Sequence, residues 1–220
     1  MKRQYTELTG SEIVRGIRST NQRKRLLAFA GLLLCIAGMF GAFVWIIRMH
    51  EYFYGGILVL MCAAIIWALM NRVTKINKVL ANVENCPLFR KYGTPESIAS
   101  RISAECSEPL YDGKGTLICD SFIMKRGDFE TYIPFEHALH VFRREHRTNG
   151  IQDGVYLCVT DVYGEKQQYS FKMGRKGKAQ MQEIVDHIIQ QAPDCAAGYS
   201  REALAYVKQN TKEIPDEIQM

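Results

Sequence analysis

Two stretches of this 220-residue chain contain no Asp, Glu, Lys, Arg or His: Leu26 to Ile47, 22 residues, and Phe53 to Met70, 18 residues. At 1.5 Å per residue these make helices of roughly 33 and 27 Å, close to the ~30 Å hydrocarbon core of a bilayer. Only Arg48-Met49-His50-Glu51-Tyr52 lies between them, room for a tight turn. The pattern predicts a transmembrane helical hairpin. The missing charge also argues against a transporter, because ionisable groups inside spans are the usual mark of ion and proton paths. A secretory leader fits poorly. The first apolar run is too long, 25 residues precede it, and no A-x-A-like site follows promptly.

Signals for catalysis are also missing. No G-x-S-x-G, H-E-x-x-H or C-x-x-C sequence occurs, so nucleophile-elbow, zincin and dithiol-motif chemistry have no carrier. His137, His140 and His146 lie beside Glu136 and Glu145. In a strand, residues three apart point to opposite faces, which separates His137 from His140. His140 and His146 share a face only if the strand between them is unbroken. No Cys or Asp stands at a recognised zinc spacing. No metal and no cofactor is expected, and an enzyme is the least supported class. A nucleic-acid platform is disfavoured as well, since it needs a broad basic surface with stacking rings. Phe142 is the only aromatic residue within the Arg143-Arg144 and Arg147 cluster, which reads as a solvated hairpin end.

The charge that is present is uneven. Residues 1–25 carry seven Lys/Arg against two Glu, and residues 26–78 carry four against one; the remainder is acidic, 17 against 20. Basic residues near span ends stay cytoplasmic. Arg23-Lys24-Arg25 precedes the first run, and Arg72, Lys75 and Lys78 follow the second. This predicts a multi-pass protein of the cell (plasma or inner) membrane with both termini cytoplasmic and the 48–52 turn outside. Trp45, Tyr52, Phe53 and Tyr54 would form an aromatic belt at the outer end. The seven cysteines are then expected to stay reduced, most of them as buried apolar side chains.

Along the chain, residues 1–25 form a basic segment. Ser11 is a candidate helix cap, and residues 5–20 read equally well as a solvated tail or as an interfacial helix. Ala37 with Gly41 and Gly38 with Ala42 have the small-x-x-x-small spacing that lets helices approach, within the hairpin or in a homo-oligomer. The spans are expected at 26–47 and 53–71, a stalk or linker at 72–93, a folded α+β domain at 94–210, and a polar tail at 211–220. Thr94-Pro95-Glu96 starts a helix with Ile98, Ile102 and Cys106 as its buried stripe. About five strands follow. Thr116–Met124 and Glu130–Phe135 are joined by the turn Lys125-Arg126-Gly127-Asp128, and Leu139–Arg144, Val155–Val162 and Lys166–Met173 come next. Short connections make them an antiparallel meander. Lys178–Gln191 is an amphipathic helix whose Met181, Ile184, Val185, Ile188 and Ile189 need an apolar surface. Ser200 caps a last helix over 201–209.

A meander closed by a C-terminal amphipathic helix, behind two spans, resembles bacterial membrane-anchored proteins with a small pleckstrin-homology-like (PH-like) domain. The likeness rests on Thr116 to Phe135, on Pro134-Phe135 through Phe142, and on the 178–191 helix. It implies an α+β membrane protein: a two-helix hairpin, then a cytoplasmic β-meander or partial barrel. The expected function is a membrane-tethered, non-catalytic interaction module for a protein partner or for itself, with no nucleic acid involved. The alternative is a regulatory module sensing anionic lipid. Its candidate contacts are Arg175, Lys176 and Lys178, in a glycine-flanked turn ahead of a helix N-terminus, where N–H groups and the dipole favour anions.

Overall fold

The computed structural model describes residues 5, 7–49, 52–83, 86–149 and 151–215. They belong to two compact units, Met1–Gly16 with Glu84–Met220, and Ile17–Val83.

The Ile17–Val83 unit is made of two helices. The first, α1 (Gly10–Met49), begins in the other unit, and α2 (Tyr52–Ala81) is the second leg. Both are long and apolar enough to cross a membrane. Leu26, Leu34, Phe40, Leu60 and Trp67 are all at least 71% exposed, whereas the core helix of a water-soluble protein would cover such side chains. At Gly31 an added Cβ would lie 3.5 Å from Leu69 Cδ1, so the two legs touch there. Ala28, Gly31, Cys35, Met39 and Ala42, spaced three or four residues apart, are the more buried positions of α1 in this stretch. Of the small residues expected to pack, Ala42 lies on that stripe, while Ala37, Gly38 and Gly41 are exposed. A Cβ at Gly38 or Gly41 would meet nothing within 4 Å. Each sits one residue ahead of a stripe position, which on a helix is a rotation of about 100°. Part of the turn expected at 48–52, residues 50 and 51, lies outside the described residues, as do residues 216–220 of the tail.

The other unit is α+β. Two short helices, α3 (Pro87–Tyr92) and α4 (Pro95–Glu105), precede eight strands: β1 (Tyr111–Gly113), β2 (Thr116–Ile118), β3 (Phe122–Lys125), β4 (Asp128–Pro134), β5 (Ala138–Thr148), β6 (Ile151–Asp161), β7 (Lys166–Phe171) and β8 (Ala196–Ala197). They form two four-stranded sheets, ordered β1-β2-β3-β4 and β7-β6-β5-β8; every pairing is antiparallel except that of β8 with β5.

The count exceeds the expected five for local reasons. The 116–124 run breaks at Cys119, whose N–H donates to the Phe122 carbonyl at 3.0 Å. The sequence hides that break because Leu117, Ile118, Cys119, Phe122, Ile123 and Met124 are all buried. The Asp112–Thr116 segment contains a hairpin turn: Lys114 (φ 53°) and Gly115 (φ 73°) are both left-handed, as a two-residue primed turn requires. β8 is two residues long, too short for a periodicity.

Both sheets share one core. Ile118, Ile123 and Ile133 of the first meet Val141, Leu157, Val159 and Tyr169 of the second, and α5 (Arg175–Gln191) adds Met181, Ile184, Val185 and Ile188. The Tyr169 hydroxyl donates to the Thr131 carbonyl at 2.5 Å, and Thr116 Oγ1 to the Ser170 carbonyl at 3.0 Å, so polar bonds also tie sheet to sheet. α5 starts three residues earlier than expected. Gly174 takes φ 98° as its cap, and a Cβ on Gly177 would lie 1.9 Å from the Lys172 carbonyl oxygen. These two glycines let the helix leave β7 almost at once. α6 (Arg201–Asn210) follows, capped by Ser200 as predicted.

The segment ahead of the apolar run is not a solvated tail: it packs on the α+β unit. Thr9, rather than Ser11, caps α1, in a reciprocal box with Glu12: Thr9 N–H donates to Glu12 Oε2 at 2.9 Å, and Glu12 N–H to Thr9 Oγ1 at 3.4 Å. Leu8 N–H donates to Ser103 Oγ of α4 at 2.9 Å, and Gly127 N–H to the Tyr5 hydroxyl at 3.1 Å. Ile13 is fully buried, and a Cβ on Gly16 would collide with the Phe129 ring at 2.6 Å. Residues 7–16 are thus an integral layer of the α+β unit. So is α3, inside the stretch read as linker: its Phe89 and Lys91 are buried.

Candidate functional site: a basic groove beside a charge hub

Strand alternation builds the site. Val141 and Leu157 point into the core, so their neighbours Phe142 and Cys158, paired across β5 and β6, occupy the opposite face of the second sheet. Phe142 is the floor there. The His140 ring stacks on it at 4.8 Å, the Tyr199 ring leans on it at 5.0 Å, and Lys166 Nζ, from β7, sits 4.5 Å from its centroid. His140 is held by its Nε2, 2.6 Å from the Gly198 carbonyl oxygen. A groove of about 420 Å³ lies here, lined by Phe142, Arg143, Arg144, Glu145, Lys166 and Tyr199. Arg144 is exposed and makes no ion pair among the described residues. Burial pushes the Cys158 thiol above its ordinary range, while Lys166 and Arg144 pull it back; both cations therefore act on one buried atom.

Next to the groove, Glu145 gathers three cations. Its Oε1 takes Arg143 and, at 3.0 Å, Lys178 Nζ; its Oε2 takes Arg147 at 3.4 Å. The two basic clusters of the sequence, at 143–147 and 174–178, are thereby one surface. No single stretch of sequence signals this, because residues 145 and 178 meet only when the first turn of α5 lies beside β5. Of the residues expected to contact lipid, Lys178 is engaged by Glu145, while Arg175 and Lys176 are exposed and make no ion pair among the described residues. All three sit in the first turn of α5, not ahead of it.

A second charge cluster is deep. Lys91 Nζ lies 3.1 Å from Asp161 Oδ2 and 2.6 Å from Glu165 Oε2, with Lys91 and Asp161 both buried. Asp161 Oδ2 also accepts the Tyr92 hydroxyl at 2.5 Å, and its Oδ1 accepts the N–H groups of Tyr163 and Glu165 at 3.0 and 2.7 Å. Burial first, and then the Asp161 carboxylate, push the Tyr92 hydroxyl far above its ordinary range. His137 stacks on Tyr163 and is held below the usual histidine range by its burial. Lys91, Tyr92, Asp161 and Glu165 thus partner one another, as a structural staple between α3 and the β6–β7 turn requires.

The three histidines singled out in the sequence part company. His137 belongs to this cluster, His140 lies under the groove, and His146 Nδ1 contacts Asp153 Oδ1 at 2.7 Å on the β5–β6 hairpin. No protein-family model, curated protein or solved structure matches the chain.

Proposed function

We propose that the chain is a non-catalytic module held in the cell membrane by two spans, with both termini cytoplasmic and a PH-like domain offered to a protein partner. One observation carries the reading: residues on both sides of the apolar hairpin, 5–16 and 86–215, belong to one folded unit. Such a unit lies on one side of a bilayer, which an even number of spans satisfies. The Arg and Lys flanks make that side the cytoplasm. The PH-like assignment draws support from the strand order, a four-strand meander and then the antiparallel β5-β6-β7 set, followed by α5 on the shared core. The groove favours an acidic segment on the partner: Arg144 and Lys166 offer charge, and Phe142 and Tyr199 offer rings for a neighbouring apolar side chain.

Cross-linking of the tagged full-length protein in native membranes, read by mass spectrometry, tests this. A reproducible partner linked within residues 110–190 is the expected result. Recovery of the protein alone would replace a partner by self-association. A tag after Met220 that is accessible from outside intact cells would overturn the orientation.

A second reading, contact with anionic phospholipid headgroups, is favoured by Arg175 and Lys176, exposed and without an ion pair among the described residues. Each cation near such a surface contributes on the order of 1 kcal/mol. In nanodiscs, anionic lipid should then slow amide exchange at the start of α5 relative to neutral lipid, and R175S/K176S should abolish the difference. Equal exchange in both lipids would remove this reading.

A further inference from the structure

Cys106 and Cys119 are 13 residues apart, outside any recognised motif, yet their sulfurs lie 3.5 Å apart. Cys106 is the C-cap of α4, its N–H bonded to the Ile102 carbonyl at 3.0 Å, and Cys119 opens the β2–β3 turn. The same junction is clamped a second time: Glu105 accepts the Ser121 N–H at 2.8 Å and the Ser121 hydroxyl at 2.5 Å. Two backbones fixed on both sides keep the thiols in contact. The sulfurs must close from this contact to a disulfide length of ~2.05 Å for a bond to form. The other five of the seven cysteines have no such neighbour among the described residues.

We propose that Cys106 and Cys119 form an oxidisable dithiol, a modification site that takes a small peroxide as oxidant and joins the end of α4 to the β2–β3 turn by a disulfide. Across this contact either thiol can donate to the other, which stabilises the attacking thiolate, taken as that of Cys106 at the end of α4. The Cys106 thiolate attacks one oxygen of hydrogen peroxide, the O–O bond breaks, and hydroxide leaves, giving a sulfenic acid on Cys106. Cys119 sulfur then attacks the Cys106 sulfur, displacing the sulfenic oxygen as water. Two thiols and one peroxide become one disulfide and two waters: two electrons leave the sulfurs and enter the O–O bond. Both thiols are buried, which restricts the oxidant to small molecules. In a reducing cytoplasm the resting form is the dithiol.

The test uses the full-length wild-type protein in its membranes, treated with hydrogen peroxide, then alkylated, denatured and digested with trypsin without reductant. The two cysteines fall in separate peptides, residues 102–114 and 115–125. The expected product is these peptides linked and two hydrogens lighter than their sum, separated again by dithiothreitol, and absent from C106S and C119S. Recovery of both peptides unlinked after peroxide, whether alkylated or as single-cysteine sulfinic acids, would overturn the proposal. So would a link from Cys106 to any other cysteine. Because wild-type protein is read, a folding defect in a variant cannot mimic failure.

Discussion

The two charge clusters of the α+β unit are near mirror images. In one, a single buried cation, Lys91, stands between two carboxylates, Asp161 and Glu165. In the other, a single carboxylate, Glu145, stands among Arg143, Arg147 and Lys178 at the surface. The buried cluster must balance its hydrogen bonds, because water cannot screen a mismatch there. The surface cluster can leave positive charge over, because water solvates the excess. It lies beside Arg144 and Lys166, which make no ion pair among the described residues: one cluster is balanced inside the fold, and the other carries surplus positive charge at the surface.

The widest gap between the two should appear on removing the central charge of each. Lys91→Met leaves Asp161 buried without its cation, and unfolding free energy in denaturant should drop by about 3–5 kcal/mol; a loss below ~1 kcal/mol would end the distinction. Gly177→Ala sets a methyl against the Lys172 carbonyl, displaces the first turn of α5, and should cost roughly 1–3 kcal/mol while separating Lys178 from Glu145. R144S/K166S should leave stability within ~0.5 kcal/mol of wild type yet lower partner cross-linking to the groove at least several-fold; retained cross-linking would detach the groove from the function. The smallest effect concerns pH. His137 is held below the usual histidine range in the folded state, so the unfolded chain binds the extra proton and stability falls as pH drops through that range. In His137→Gln the difference in denaturation midpoint between pH 7 and pH 5 should shrink; an unchanged difference would show that other groups carry it.

Much of the architecture was legible because periodicity reports burial directly. The stripe Met181, Ile184, Val185 and Ile188 marked α5, Thr94-Pro95 marked α4, and the Lys125–Asp128 turn marked the β3–β4 hairpin. What escaped was of two kinds. Short elements such as β1 and β8 are set by turn geometry and by neighbours, not by a repeat. Contacts across long separations, Glu145 with Lys178 or Leu8 with Ser103, leave no local signature at all. The candidate site was legible only as two separate basic clusters with Phe142 beside one of them; its wall at Tyr199 comes from the segment between β8 and α6, which meets the Phe142 ring across a long sequence separation. The Thr9–Glu12 box is a different case, since T-x-x-E stands in the sequence, whereas the expected cap was Ser11.

The docking of residues 5–16 against Ser103, Gly127 and Phe129 also sets an order of events during synthesis. The first turns of α1 leave the ribosome more than a hundred residues ahead of the Phe129 ring they pack on. At typical translation speeds of ~5–20 residues per second that interval is on the order of ten seconds. Both apolar helices emerge within it. The segment that docks on Phe129 therefore lacks that partner until both apolar helices have been synthesised. Closure of the α+β unit comes only after the apolar helices between its two parts have been made.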